Sequence, residues 1–234
     1  MNKKERLDAL RESWANCQKC GLCEERNNVV FGEGNPDADI LVLGEAPGEA
    51  EDNEGRPFIG LAGEILDEFL GAAVLNRWED IYATNVVGCR PTVEGIDSRT
   101  GKPRVDNRAP SKVERDACKP RLLELIYIID PLIIVTIGKV PFQVLLGKAP
   151  KIDSLRGNIQ TLHLAGRHTE VRYGVMPMYS TTFLNNTYDR RSEGPWGKTM
   201  RDWVKVCNVI DYLRSAYYGT PTPNREEVVR GREQ

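Results

Sequence analysis

Six cysteines give this chain its clearest potential for metal chemistry. They are Cys17, Cys20, Cys23, Cys89, Cys118 and Cys207. In a reducing compartment such residues are more often metal ligands or buried thiols than disulfides. A zinc ribbon requires a second tight pair beside the Cys-x-x-Cys at 17–20, and the chain has none. An iron–sulfur cluster accepts scattered thiolates and needs four. From spacing alone, a cluster and a redox or chance pair with buried thiols elsewhere both remain open.

A turn crowded with carboxylates follows a short apolar run at residues 40–43. Its acidic residues are Glu45, Glu49, Glu51 and Asp52. The apolar run predicts a buried strand, and the apolar face of residues 62–75 predicts a helix beyond Phe58. Strand, polar turn and helix together place the turn at the carboxyl end of a parallel sheet, where open α/β sheets bind ligands. An ordinary acidic surface loop is the alternative.

A polar amide lies inside the next apolar segment. A second buried strand is predicted at 81–87, and Asn85 lies near its carboxyl end. A buried amide requires hydrogen-bond partners. Asn85 is therefore either a satisfied structural residue or a side chain that reads the amide edge of a ligand.

The remaining periodicity predicts the elements that position these residues. A third buried strand is predicted at 132–137, and alternating segments at 159–164 and 170–176 are typical of two further strands. Further helices are predicted at 111–129, 140–146 and 199–217. Residues 92–110 are polar and rich in Gly, Pro and Arg, and they are predicted to form a long loop. A second loop is predicted at 178–184.

Length and charge limit the class of protein. The chain has 234 residues, enough for one substantial core, and a net charge of −2. Near-neutral charge gives no global basic field for nucleic acid, although local patches can still bind it. No apolar run reaches membrane-spanning length, and the N-terminus MNKKERLDAL lacks the apolar core of a signal peptide. We expect a cytoplasmic protein with no membrane partner, a single domain at 1–218 and a flexible tail at 219–234.

Five motifs occur in a fixed order between Cys17 and Gly157. They are the Cys-x-x-Cys with Arg26 downstream, FGEGNPDADILVLGEAPGEAED, GRPFIGLAG, TNVVGCRP followed by NRAP and Cys118, and PLIIVTIG followed by LRG. Together they resemble the iron–sulfur uracil-DNA glycosylases, commonly called family 4. The resemblance implies the fold of the uracil-DNA glycosylase superfamily, an α/β fold in three layers (α/β/α) with a central, mainly parallel four-stranded sheet.

The resemblance also implies a cofactor. The four ligand positions of the family's 4Fe–4S cluster are matched by Cys17, Cys20, Cys89 and Cys118. An N-terminal cluster-binding segment would then precede the glycosylase-like part of the domain. Cys23 and Cys207 would be spare thiols, the second of them in the core.

A base-binding pocket follows from the same motifs. The GEAPGEAED turn matches the first catalytic motif of the family, with Gly44, Glu45 and Ala46 lining the pocket. Phe58 matches the aromatic side chain on which a flipped uracil stacks, and Asn85 matches the amide that reads the edge of uracil. An enzyme that acts on a base in DNA must extrude that base into such a pocket.

The resemblance assigns catalysis to carboxylates and to a second motif. Glu45 is counted among the catalytic residues as well as lining the pocket, and the nearby Glu51 and Asp52 would orient a water or stabilise a developing oxocarbenium ion. The second motif is of the Tyr-His-Pro-Ser type, and alignment on Pro177 and Tyr179 departs from it: the chain has Ser180-Thr181-Thr182 there. Neither histidine, at 163 or 168, falls at that position. Ser180 is a neutral donor in place of the His, and loss of one such donor typically costs about 10²–10³ in rate.

The expected partner is uracil-containing DNA, single- or double-stranded, bound by a monomer. Arg156 of the LRG motif is expected to contact DNA, and Phe183 and Leu184 are expected to enter the base stack as an apolar wedge. The loop at 92–110 is longer than is usual in the family. Its basic residues either hold phosphates or are solvated charges: Arg99, Lys102, Arg104 and Arg108.

The sequence therefore predicts a monofunctional DNA glycosylase that hydrolyses the N-glycosidic bond of uracil, or of a related altered base, and leaves an abasic site. Two alternatives follow from the changed second motif. One is a catalytically weak or inactive iron–sulfur module that binds DNA without cutting it. The other is a glycosylase for a modified pyrimidine.

Overall fold

The computed structural model describes residues 1–147, 151–165, 170–187 and 189–218, and the tail predicted at 219–234 lies outside them. The helices are α1 Lys3–Ala15, α2 Glu49–Glu54, α3 Leu61–Ala72, α4 Lys112–Ile129, α5 Lys139–Leu146, α6 Ile152–Leu155, α7 Thr181–Thr187 and α8 Pro195–Tyr218. The strands are β1 Glu33–Gly34, β2 Ile40–Gly44, β3 Ile81–Asn85, β4 Thr92–Ile96, β5 Pro103–Asn107, β6 Ile133–Ile137, β7 Gln160–Ala165 and β8 Glu170–Met178. None of these helices has the length and apolar character of a membrane-spanning segment.

A six-stranded sheet in the order β1-β3-β2-β6-β8-β7 forms the centre of the fold. Its four inner strands, β3, β2, β6 and β8, are parallel. The edge strands β1 and β7 pair antiparallel to their neighbours. The predicted mainly parallel sheet is confirmed, and the two short edge pairings widen it from four strands to six.

Helices cover both faces of this sheet. Successive side chains of a strand point to opposite faces, so Ile40 and Val42 of β2 pack in a core with α3 and α8. Leu41 and Leu43 of the same strand pack in a second core with α1, α4 and α5. All four side chains are at most 2% exposed, as expected of a strand covered on both sides. The structure thus confirms the predicted three-layer α/β/α arrangement.

Two segments predicted as loops are ordered elements. Residues 92–110 contain the antiparallel hairpin β4–β5, whose turn is closed by Asp97, because its carboxylate accepts the backbone N–H groups of Arg99 and Thr100. The apolar residues of this hairpin, such as Ile96, face solvent. Its sequence therefore lacks the alternation of apolar and polar residues that predicts a half-buried strand. The predicted loop at 178–184 runs into α7, where the Ser180 hydroxyl accepts the Phe183 N–H at 3.2 Å.

The start of α3 packs directly against the aromatic Phe58. A Cβ atom at Gly63 would lie 1.8 Å from the Phe58 carbonyl oxygen, a distance that no side chain can adopt. Phe58 itself has φ +53°, in the left-handed region, which is uncommon for an aromatic residue. The absence of a side chain at Gly63 therefore allows α3 to support this backbone geometry.

We expect Gly63→Ala to lower the free energy of unfolding by at least about 2 kcal/mol, because backbone atoms must move to admit the methyl group. Gly71→Ala is the matched control in the same helix, since a Cβ there meets no atom within 4 Å. It should range from neutral to about 1 kcal/mol stabilising. Urea denaturation of both variants measures the difference, and equal unfolding midpoints would contradict this packing.

Candidate active site

An open cavity of about 620 Å³ lies at the carboxyl ends of β2 and β3. Its walls come from the turn after β2, the segment before α3, the end of β3, the residues that follow β5 and the start of α7. All the residues predicted to bind the base line it: Gly44, Ala46, Phe58 and Asn85. The turn of the first catalytic motif and the segment that replaces the second, Ser180-Thr181-Thr182, therefore line the same cavity.

Close packing over Gly44 sets the floor of the cavity. Gly44 and Asn85 are register partners on β2 and β3. A Cβ atom on Gly44 would lie 2.2 Å from the Asn85 amide oxygen and 2.7 Å from the tip of the Phe58 ring. Asn85 is 3% exposed and Phe58 is 6% exposed. Glycine at this position therefore lets an amide and an aromatic ring share one small pocket.

Arg77 holds the backbone of the aromatic residue. Its Nη2 donates to the carbonyl oxygens of Phe58 at 2.6 Å and of Pro57 at 3.0 Å. Its Nη1 pairs with Asp67 of α3 at 2.9 Å. These bonds stabilise the left-handed conformation of Phe58 and hence the orientation of its ring.

Glu51, predicted to be catalytic, lines the cavity and also makes hydrogen bonds within the fold. Its Oε2 accepts the N–H of Gly48 at 3.0 Å. Its Oε1 accepts the N–H groups of Ile59 at 3.1 Å and Gly60 at 2.9 Å. With both oxygens occupied and the side chain buried, Glu51 fastens the turn after β2 to the segment that carries Phe58.

Asp52 is likewise used inside the fold and does not line the cavity. Its carboxylate accepts the N–H of Asn27 at 3.1 Å and that of Asn28 at 3.3 Å, and the residue is 2% exposed. It therefore ties α2 to the segment that follows the first cysteines. The water-orienting role of Asp52 stays a prediction, and it has no support from this placement.

Glu45 is the carboxylate available to a ligand. Glu45 lines the cavity and is half-buried, and no described residue donates a hydrogen bond to its carboxylate oxygens. Burial raises the pKa of Glu45, while the charge of Arg115 acts in the opposite direction. A carboxylate with unsatisfied oxygens and an upward-shifted pKa is typical of functional sites.

The changed second motif forms the opposite wall, where Ser180, Thr181 and Thr182 line the cavity. The Ser180 oxygen accepts a bond from the backbone of α7, which leaves its O–H free to donate. Phe183 is 42% exposed beside this wall, whereas Leu184 is 3% exposed and packs in the α3–α8 core. Leu184 cannot enter a base stack without leaving the core, so the predicted wedge reduces to Phe183.

Arg156, predicted to contact DNA, is engaged within the protein. Its Nη1 donates to Asp202 of α8 at 2.5 Å and to the Lys198 carbonyl oxygen at 3.2 Å. Its guanidinium also lies 5.5 Å from the centre of the Tyr179 ring. Asp202 is 1% exposed, and removing the partner of such a buried charge is costly. Arg156 therefore positions the second motif against α8.

The end of the hairpin supplies lining residues that the sequence reasoning missed. Asn107, Arg108 and Ala109 all line the cavity. Arg90 Nε donates to the Asn107 amide oxygen at 2.7 Å, which leaves the Asn107 amide N–H groups for a ligand. These residues belong to the NRAP motif, whose place in the family resemblance was the available signal. Of the three, only Arg108 had an expected role, as a phosphate contact.

Arg108 fastens the hairpin and is not free to hold a phosphate. It forms two bonds to Glu114 of α4, at 2.9 and 2.7 Å, and one to the Thr92 carbonyl oxygen at 2.8 Å. This pairing is the main reason why the pKa of Glu114 falls to about 2. Arg104 pairs with Asp106 on the hairpin itself. Of the basic residues predicted to hold phosphates, Arg99 and Lys102 at the hairpin turn make no ion pair with a described residue.

The cysteines predicted as ligands lie on the α4 side of the sheet. Cys89 and Cys118 belong to the core on that side, and Cys20 packs against it. Burial raises the pKa of the Cys89 thiol to about 11. Arg26 opposes this effect, since its Nη1 donates to the Cys89 sulfur at 3.6 Å and to the Cys17 carbonyl oxygen at 2.7 Å. Cys207 lies in the other core, as predicted.

The Cys20 thiol lies close enough to those of Cys17, Cys118 and Cys89 for their charges to interact. Within the described residues no three Cys, His, Asp or Glu side chains converge as ligands of one metal ion. Each cysteine of a 4Fe–4S cluster binds a different iron, so its sulfurs need not converge on a point. A set of four thiols with a guanidinium donating to one sulfur fits an anionic cluster.

Comparison with known proteins gives the same family. The sequence model described as the uracil DNA glycosylase superfamily matches residues 31–204. A type-4 uracil-DNA glycosylase of Thermotoga maritima is 40% identical over 157 residues, 67% of this chain and 74% of the relative. One of Saccharolobus solfataricus is 38% identical over 164 residues, 68% and 70% of the two chains. One of Sulfurisphaera tokodaii is 36% identical over 173 residues, 74% and 73% of the two chains.

Proposed function

The chain belongs to the uracil DNA glycosylase superfamily, and on this premise we propose that it removes uracil from DNA. The reaction is hydrolysis of the N-glycosidic bond, which leaves an abasic site for base-excision repair. The prediction of a DNA glycosylase made from the five motifs is thereby confirmed. The cytoplasmic location and the monomeric state remain predictions.

The packing of Phe58 and Asn85 over Gly44 carries the proposal. A flat aromatic ring offers stacking to an extruded base. An amide side chain presents one acceptor and a donor group, and these complement an N–H and a neighbouring carbonyl of uracil. Both side chains line the cavity, so a base that enters it would meet the ring and the amide together. A module that binds DNA without recognising a base has no need of such a pocket.

Charge separation during bond cleavage assigns roles to the remaining cavity residues. As the base departs, positive charge develops on the sugar and negative charge on uracil. Glu45 is the free carboxylate that would stabilise the sugar or orient the water. The Ser180 hydroxyl and the Asn107 amide are the donors that would bind a uracil oxygen, in place of the missing His. Preorganised donors of this kind act on the charge that appears in the transition state.

A 4Fe–4S cluster is the cofactor that the cysteine set fits. Cys17, Cys20, Cys89 and Cys118 would hold it, with Arg26 donating to the Cys89 sulfur. When bound, the cluster supplies a covalent cross-link between the N-terminal segment, the chain beyond β3 and helix α4. The chain's own residues at that junction, including Asp52 and its two backbone bonds, already hold the segment beside the cavity.

DNA contacts outside the pocket are assigned to two exposed features. Phe183 projects beside Ser180 with 42% of its surface exposed and suits the wedge that fills the space left by the base. Arg99 and Lys102 at the hairpin turn suit phosphate contacts, which position a duplex without reading its sequence.

The replacement of the motif His by Ser180 favours one second candidate, a weakly active or inactive binding module. Excision assays separate the two, because the binding module would retain uracil-containing DNA without releasing a base. A glycosylase for a modified pyrimidine would cleave that base while leaving uracil in place.

The wild-type protein should release uracil from single- or double-stranded oligonucleotides, and Asn85→Ala should reduce kcat/KM by about 10²–10³ because it removes the paired donor and acceptor. Asn208→Ala on the exposed face of α8 is the matched control and should match the wild type. Retained DNA binding without cleavage by the wild type would support the binding module instead.

Excision should fall at acid pH because Glu45 acts as a carboxylate. Burial raises its pKa, so activity should be present above that pKa and be lost as the pH falls through it. Glu45→Gln should lower kcat by about 10²-fold and remove this acid limb from the pH profile. Glu54→Gln, at an exposed carboxylate of α2 that does not line the cavity, should retain both. An unchanged acid limb in Glu45→Gln would exclude Glu45 as its source.

A further inference from the structure

We propose that Arg121 is a positioning residue that joins the cysteine ligands to the base-reading end of β3, and that the iron–sulfur cluster supplies its counter-charge. The proposal rests on the proposed cofactor and activity. It adds a residue of α4 that none of the five motifs includes. Through Arg121, the charge of the cluster would also help to hold the backbone of Asn85 in the pocket.

The guanidinium of Arg121 is fully enclosed. The residue is 1% exposed, and its Nη1 donates to the Phe31 carbonyl oxygen at 2.9 Å. Its Nη2 donates to the carbonyl oxygens of Asn85 at 2.5 Å and Val86 at 3.3 Å. One side chain therefore fastens the backbone of the base-reading residue to the segment before β2.

No carboxylate balances this charge among the described residues. Arg121 forms no ion pair with any of them, although a buried cation without a partner is strongly destabilising. The groups beside it that can carry negative charge are the thiols of Cys118 and Cys89 and the phenol of Tyr82. Cys118 lies one helical turn before Arg121 on α4, so the two side chains share a face of that helix.

One donor of Arg121 is unused. Its Nε is buried and has no hydrogen-bond partner in the described part of the chain. A Cβ atom on Gly88, the residue before Cys89, would lie 3.8 Å from this nitrogen. The unsatisfied N–H and the uncompensated charge therefore both lie at the cysteine ligands, where four thiolates and the cluster they hold carry net negative charge.

The charge and the hydrogen bonds of Arg121 have separable consequences. The charge beside the cluster favours the reduced, more negative form and so raises its midpoint potential, because cluster potentials depend on nearby charge and hydrogen bonds. The bonds to the carbonyl oxygens of Asn85 and Val86 fix the amide that reads the base. A purely structural residue would affect stability without shifting the potential.

The test compares Arg121→Met, which removes charge and donors, with Arg121→Lys, which keeps the charge but lacks the planar fork that bonds the carbonyl oxygens of Phe31, Asn85 and Val86 from two separate nitrogens. Lys119→Met is the matched control, since it removes an exposed charge from the same helix. Iron and sulfide content, the midpoint potential of the cluster and kcat/KM for uracil excision are measured on each protein. Iron content of the wild type and of Cys89→Ser establishes the cofactor independently.

Arg121→Met should shift the midpoint potential to more negative values and lower kcat/KM by about 10–100-fold. Arg121→Lys should keep the potential close to that of the wild type while excision still falls. Lys119→Met should change neither. A potential and an excision rate in Arg121→Met equal to those of Lys119→Met would overturn the proposal.

The remaining outcomes are also decisive. If Arg121→Met does not fold, Arg121→Lys decides, and unchanged excision in that variant would overturn the positioning role. A wild type without iron would overturn the cofactor and this proposal together. A wild type that holds the cluster but releases no uracil would overturn only the proposed activity, because the shift in potential still tests the role of the Arg121 charge.

Discussion

The close approach of two side chains to Gly44 is the constraint on which the site depends. Parallel pairing of β2 with β3 brings Gly44 and Asn85 side by side at the carboxyl ends of the strands. The space that a side chain at Gly44 would fill is taken by the Asn85 amide and the Phe58 ring. The left-handed conformation of Phe58, the bonds from Arg77 and the closeness of Gly63 all serve this arrangement. The pocket thus depends on the close approach of the backbone at Gly44 and Gly63 as much as on its side chains.

Buried polar groups hold the elements around this contact in place. Glu51 joins the acidic turn to the Phe58 segment, Asp52 joins it to the N-terminal segment, and Arg156 joins the second motif to α8. Arg121 does the same for the end of β3. In each case a buried charged side chain satisfies backbone groups of a neighbouring segment. The free carboxylate of Glu45 stands out because the carboxylates of Glu51 and Asp52 are engaged in such bonds.

The sequence predicted the parts that local pattern and motif order determine. The buried strands and the α/β layers follow from apolar periodicity and from the parallel topology. The resemblance to the family implies that Gly44, Phe58 and Asn85 line one pocket, as they do. The roles of Glu51, Arg156 and Leu184 depend on partners elsewhere in the fold, such as Asp202 for Arg156, and no local pattern specifies those. The hairpin at 92–107 was missed because its apolar residues face solvent, and Asn107 entered the site only through that hairpin.

Release of free uracil by the wild type and by Gly44→Ala tests this account most directly. The account predicts that the wild type releases uracil and that Gly44→Ala, although folded, releases it far more slowly, because the methyl group displaces the Asn85 amide and the Phe58 ring. Equal release by the two proteins would contradict the proposed pocket. Release by neither, from protein with its cluster intact, would contradict the proposed activity.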